Sequence, residues 1–163
     1  MRVRDIDGED ASTILWDLAT GDVLKRLKGH DALVQACAFS RDGAQLATAG
    51  RDKTSRVWSV ETGKCLRTLK HASWVSAVAF RPDGSYLATA SYDLAAHLWD
   101  LGTGDERGVF KDPDTGSEGA DPFCYGVAFD PSGLVLATSA SASYSGKALF
   151  PRRASRKCCA RRG

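Results

Sequence analysis

Residues 71–100 read HASWVSAVAFRPDGSYLATASYDLAAHLWD, a stretch in which two patterned segments flank a small apolar run and turn residues divide the three. Val75, Ala77 and Ala79 alternate with Ser76 and Val78. Pro82-Asp83-Gly84 interrupts, positions 87 to 90 are small and apolar, and His97-Leu98-Trp99 follows Asp93. Alternation and short apolar runs bounded by Pro, Gly and Asp predict three strands joined by two tight turns, an antiparallel meander. The meander also occurs earlier in the chain. His30, Phe39, Asp42, Gly43, Leu46, Ala47, Thr48, Asp52, Trp58, Thr62 and Gly63 recur, each 41 positions on, as His71, Phe80, Asp83, Gly84, Leu87, Ala88, Thr89, Asp93, Trp99, Thr103 and Gly104. That many matches at one ungapped offset cannot come from composition, so the chain is built of repeats.

Taken in order, residues 1–11 are acidic and polar without apolar periodicity and read as a loop or frayed lead-in. Residues 12–28 supply a strand ending in Trp16-Asp17-Leu18, a Thr20-Gly21 turn equivalent to Thr62-Gly63, and an outer strand over 23–27, so the pattern opens halfway through a unit. The second unit, 30–70, predicts strands at about 33–39, 45–49, 55–59 and 64–69; the third, 71–110, predicts 74–80, 86–91, 95–100 and 105–110. Each is a four-stranded antiparallel sheet too small to bury both faces alone. A polar loop over 111–122 lacks the expected His and stretches the spacing to 49, after which Phe129, Pro131, Gly133, Leu136, Ala137 and Thr138 answer Phe80, Pro82, Gly84, Leu87, Ala88 and Thr89. This fourth unit, 123–141, stays a half: Ala142 stands where the turn aspartate belongs and Ala148 where the Trp belongs.

Composition adds little to this picture and charge adds one feature. At 43% hydrophobic and 26% charged the 163-residue chain is of ordinary globular type, with no apolar run near the ~18 residues of a membrane helix. The opening MRVRDIDGED has no apolar signal segment, so the expected compartment is the cytoplasm, away from membranes. Six of the 22 basic residues lie after Pro151 without an acid, leaving 16 against 20 acids over 1–151. The basic tail, 142–163, has no aromatic interleaving; a disordered, solvated end is favoured over a nucleic-acid contact. The five cysteines form no CxxC pair and no Cys/His set at zinc spacing, so no metal or cofactor is expected. Cys37, on an alternating strand, is expected to be a small buried apolar residue. Cys158-Cys159 is followed by four more residues and makes no prenylation box.

Units of about 41 residues with a His before the first strand, an Asp in the second turn and a Trp six positions later resemble the WD-repeat β-propellers. The resemblance covers residues 12–141 and implies an all-β fold of four-stranded blades around a channel. It also implies a structural tetrad of His, a second-strand hydroxyl, Asp and Trp in each blade. His71, Ser91, Asp93 and Trp99 fill the four places; His30, Asp52 and Trp58 fill three, with Gly50 at the hydroxyl position. Such a network would satisfy buried polar groups that otherwise cost about 1–3 kcal/mol each. Ser, His and Asp are also the residue types of a nucleophilic triad, but a set that recurs in each unit, without a GxSxG elbow, is structural. GxGxxG, P-loop and HExxH motifs are absent as well, and no enzyme activity is expected.

By the same resemblance, function lies on the end of the propeller where first strands begin and second turns lie. Leu33, Gln35, Arg51, Trp74, Ser76, Tyr92, Phe123 and Tyr125 are the candidate face for a protein or peptide partner, aromatics and Arg being enriched in binding hot spots. For Trp74 and Phe123 the alternative is packing at the channel mouth or between blades. An interaction scaffold, as part of a larger propeller, is the leading reading; the alternative is a propeller segment of an enzyme whose catalytic domain lies elsewhere. The units sum to about three blades, against the 4–8 of closed propellers. The expected form is an open arc whose uncovered sheet edges invite self-association.

Overall fold

The computed structural model describes the backbone of residues 11–111, 120–144 and 161–162, and side chains over 11–111 and 124–139. Its elements are strands: β1 (Thr13–Trp16), β2 (Val23–Leu27), β3 (Val34–Phe39), β4 (Gln45–Gly50), β5 (Thr54–Ser59), β6 (Cys65–Lys70), β7 (Val75–Phe80), β8 (Tyr86–Ser91), β9 (Ala95–Asp100), β10 (Glu106–Lys111), β11 (Ala120–Phe129), β12 (Val135–Tyr144) and β13 (Arg161–Arg162). They make four antiparallel sheets: β1-β2, β3-β4-β5-β6, β7-β8-β9-β10 and β11-β12-β13. The protein is thus all-β, with four-stranded meanders in the middle and partial sheets on either side, and the described residues close no barrel.

Sequence chemistry accounts for the meanders. The first turn of each holds an aspartate and a glycine: Asp42 accepts from the Ser40 hydroxyl and the Ala44 N–H, Asp83 from the Ser85 hydroxyl and N–H, and Gly43 (φ 71°) and Gly84 (φ 74°) take the left-handed region a side chain disfavours. The second turn is a three-residue link whose last residue, Lys53 (φ 63°) or Leu94 (φ 74°), takes that conformation without being Gly. Side chains on the middle strands alternate between two buried faces, which is why Leu46-Ala47-Thr48-Ala49 and Leu87-Ala88-Thr89-Ala90 are buried throughout. Leu46 and Trp58 face Leu15 and Leu27 of the β1-β2 sheet, whereas Ala47, Ala49, Val57 and Leu69 face Val75, Val78, Leu87 and Trp99 of the next. Small residues let the sheets approach: β7 lies on β3 and β4, and β11 lies on β7 and β8.

One face departs from the sequence expectation. Val78 is buried and Phe80 packs against the second sheet, yet their equivalents Cys37 and Phe39 are exposed, Phe39 by 56%. The preceding sheet has only β1 and β2, equivalent to the two outer strands of a full meander, so among the described residues no inner strands cover this part of β3. Cys37 is therefore not the buried apolar residue its alternation predicts; the alternation holds, and the neighbouring layer is missing. At the other end β12 continues past Ser141 to Tyr144, and β13 pairs with Val135 and Leu136. Residues 145–160, where the basic tail was expected, and 1–10 lie outside the described residues.

Candidate functional site

Two polar networks organise the meanders, and they differ. In the second sheet Trp58 Nε1 donates to Thr48 Oγ1 at 2.9 Å, Thr48 stands 2.7 Å from His30 Nε2, and His30 Nδ1 stands 2.8 Å from Asp52. The carboxylate can only accept, so Nδ1 carries the imidazole proton, Nε2 accepts from the Thr48 hydroxyl, and one neutral tautomer satisfies the chain from indole to carboxylate. Asp52 accepts in addition from the Asp31 N–H and from the Thr54 N–H and hydroxyl. Burial, only partly offset by Asp52, holds the His30 imidazole below its ordinary value. Burial would raise the Asp52 carboxyl, but the bonds from Thr54 and His30 outweigh it and keep the group below the usual carboxylate range.

The hydroxyl of this network comes from Thr48, two positions before Gly50, the position that the resemblance assigns to it. Gly50 fits for another reason: a Cβ there would lie 2.5 Å from His30 Nδ1 and within contact of Asp52 as well. A hydroxyl side chain would fill the space that the His30–Asp52 bond occupies.

The third sheet corrects the tetrad further. Trp99 Nε1 donates to Thr89 Oγ1 at 3.1 Å, while the Ser91 hydroxyl only accepts from the Asp93 N–H. Asp93 is bonded to His97 Nε2, at 3.1 and 3.2 Å, instead of to His71. His97 Nδ1 reaches Glu106 at 2.5 Å, and His71 turns to the preceding sheet, its Nε2 3.1 Å from Ser55 Oγ. His71 Nδ1 is buried with no hydrogen-bond partner. The cause lies in two positions: His97 and Glu106 stand where Arg56 and Cys65 stand in the second unit. The shorter imidazole reaches the turn aspartate and takes it. Burial first, and the neighbouring His97 second, push the His71 imidazole down to about 4.

The candidate partner face forms at the start of the first strands. Each first strand carries a bulge there, between Val34 and Ala36, Val75 and Ala77, and Cys124 and Gly126. The residues left out of the ladder are Gln35, Ser76 and Tyr125, and bulges of this kind re-aim a side chain. The N–H of Arg51 donates to the Leu33 carbonyl and that of Tyr92 to the Trp74 carbonyl, both at 2.9 Å, which brings turn and strand start to one end of the sheet. The Gln35 amide oxygen, turned to the guanidinium, accepts from Arg51. The Arg51 Cζ lies 4.9 Å from the Trp74 ring centroid, Trp74 lies 5.8 Å from Tyr92, and Tyr92 meets Tyr125 edge-on at 5.5 Å. Gln35, Arg51, Trp74, Tyr92 and Tyr125 thus make one ridge across three sheets, flanked by exposed Leu33. Ser76 does otherwise: its hydroxyl lies 2.7 Å from the Cys124 carbonyl and 3.1 Å from that of Ala90, tying the third sheet to the fourth. The Phe123 side chain lies outside the described residues.

With this geometry in place, comparison with known proteins is specific. The model of the WD domain, G-beta repeat, matches residues 21–59 and 63–100, each match spanning the outer strand of one sheet and the first three of the next. Over these residues the chain consists of WD repeats, and its sheets are blades of an open, partial propeller. It is similar to the small ribosomal subunit protein RACK1 of Schizosaccharomyces pombe, 43% identical over 61 residues, covering 34% of this chain and 19% of that one. It is also similar to the nuclear distribution protein PAC1 of Gibberella zeae, 40% identical over 75 residues, covering 40% of this chain and 16% of that one. Autophagy-related protein 16 of Arabidopsis thaliana is 34% identical over 61 residues, 12% of its length. The chain spans less than a fifth of the length of these relatives.

Proposed function

We propose that this chain is a non-enzymatic interaction platform that binds a protein or peptide in the cytoplasm through the ridge of Gln35, Arg51, Trp74, Tyr92 and Tyr125. The observation that carries the proposal is the unbroken run of ring and guanidinium contacts across three blades at the bulged end of the sheets. Trp74 and Tyr125 keep 40% and 42% of their surface exposed. Contacts of this kind contribute about 0.5–1.5 kcal/mol each and hold the side chains in place, so a partner meets a surface whose ordering cost is already met. The WD repeats and their likeness to the relatives support a scaffold role, and the relatives' greater length supports a piece of a larger propeller array. The test is selection of binding peptides from a displayed library, followed by measurement on variants. Arg51→Ala and Trp74→Ala are expected to weaken the selected peptides at least tenfold, while Phe110→Ala, on the outer strand β10, leaves them unchanged. Peptides that bind all three variants as they bind the parent chain would place the docking surface elsewhere.

A further inference from the structure

We propose that His71, Asp93 and His97 form a binding site for a divalent transition metal ion of the Zn²⁺ type, with Ser55 and Glu106 orienting the two imidazoles. One nitrogen of each imidazole and a carboxylate oxygen of Asp93 already lie within 4.8 Å of one another. Two imidazoles and a carboxylate with a fourth place for solvent are a donor set suited to Zn²⁺.

The hydrogen bonds around the cluster assign the ligand atoms. Glu106 can only accept, so the proton of His97 is on Nδ1 and the Nε2 lone pair faces the Asp93 carboxylate at 3.1 Å. A lone pair against a carboxylate is stable only with a cation between them, a second proton or a metal. His71 Nε2, 3.1 Å from the Ser55 hydroxyl, leaves Nδ1 as the nitrogen without a partner, buried and unpaired. A metal bonded to His97 Nε2, Asp93 and His71 Nδ1 satisfies all three groups. Metal-bound imidazoles characteristically have their other nitrogen fixed by a carboxylate or another polar group, and here Glu106 and Ser55 stand in those places. The ligand atoms lie within 4.8 Å of one another, so they close by up to about 1.5 Å to reach the spacing of about 3.3 Å that tetrahedral metal–ligand bonds of about 2.0–2.1 Å require.

The second unit serves as an internal control. There the matched positions hold Arg56 and Cys65, the His bonds its own aspartate, and no such three-residue group forms among the described residues. The cluster is thus a departure of one repeat from its neighbour at two positions. Cysteine and histidine spacing gave no sign of it, because the three ligands come from a blade start, a turn and the third strand.

The test uses the full chain with Cys37, Cys65, Cys158 and Cys159 changed to Ser, so that thiols do not compete for the metal. Zn²⁺ is titrated against a chromophoric chelator, and imidazole nitrogen resonances are followed by long-range proton–nitrogen correlation. The chain has three histidines, so each is resolved. One Zn²⁺ per chain is expected, moving His71 and His97 and leaving His30 in place. His97→Arg, which installs the side chain of the sister repeat, is expected to abolish binding, and Glu106→Gln to weaken it 10–100-fold. No saturable binding, a shift at His30, or equal affinity in His97→Arg would each overturn the assignment. The nitrogen spectrum decides on the parent chain even if a variant fails to fold.

Discussion

His30 and Asp52 are bonded at 2.8 Å, and their equivalents 41 positions on, His71 and Asp93, are not bonded to each other because His97 holds Asp93 at 3.1 Å. The two blades therefore distribute the same residue types differently. Double-mutant cycles read this directly. In chelator, His30→Ala with Asp52→Asn is expected to show a coupling of about 1–3 kcal/mol, as residues of one network do, while His71→Ala with Asp93→Asn stays under about 0.5 kcal/mol. Equal coupling in both blades would contradict the difference.

The indoles are structural. Trp58 and Trp99 are 2% and 8% exposed, and each gives its N–H to a threonine of the neighbouring strand. Trp58→Ala and Trp99→Ala are expected to cost about 3–5 kcal/mol in urea unfolding, the range for a large buried aromatic. Thr48→Val keeps the shape and removes a bond at each end of the hydroxyl, leaving the Trp58 N–H and His30 Nε2 unpaired; about 2–4 kcal/mol is expected. A loss under 1 kcal/mol would show the network to be dispensable.

Acid acts on the His30 network in two windows. The His30 imidazole is held below its unfolded value of 6.5, so the folded state takes up its proton later than the unfolded chain does. The resulting stability is complete above 6.5 and is lost as pH falls from there through the folded value. Asp52 is held below its unfolded 3.8, so its contribution is complete above 3.8 and is lost as pH falls further. Thermal unfolding between pH 8 and pH 3 is expected to fall first below about 6.5, where His71, held down to about 4, contributes as well, and His30→Gln is expected to remove part of that first limb. An unchanged profile in His30→Gln would contradict this assignment.

Lys53 occupies the left-handed region at φ 63° on an exposed turn. Relief of that strain, partly offset by the greater freedom of glycine in the unfolded chain, makes Lys53→Gly stabilising by about 0.5–1 kcal/mol. Denaturant midpoints check it, and a decrease would mean that the Lys53 side chain carries an interaction worth more than the strain.

The exposed Cys37 and Phe39 lie on a face whose equivalent in the next blade, Val78 and Phe80, is covered by a neighbouring sheet. The isolated chain is expected to associate through this face, with a mass above 17.4 kDa by light scattering and a return toward it in Phe39→Asp. A stable particle of 17.4 kDa that Phe39→Asp does not alter would count against it.

Strand order and the ridge were legible in the sequence for the same reason. A 41-residue offset fixes which positions are equivalent, and alternation with the turn residues fixes where strands start and stop, so Arg51, Trp74 and Tyr92 fall at one end. The polar networks were only partly legible. Thr48 and Thr89 were among the repeated positions, but Thr89 and Ser91 both lie on the second strand, and the repeat pattern does not say which of the two hydroxyls meets the indole. The Asp93–His97 pair follows from which side chain reaches a turn in space, and a one-dimensional pattern carries that only as an unexplained departure, His97 against Arg56. Cys37 illustrates the remaining limit: a periodic pattern states which face a side chain takes and is silent on whether another layer covers it.

The ridge is tested most directly by the indole N–H resonances of the four tryptophans, Trp16, Trp58, Trp74 and Trp99, recorded while a selected peptide is added. Trp58 and Trp99 are sealed in the core, and Trp16, although exposed, stands on the first sheet and outside the ridge. The account predicts a saturable shift of Trp74 with Trp16, Trp58 and Trp99 unmoved; saturable binding that moves Trp16 and leaves Trp74 in place would contradict it.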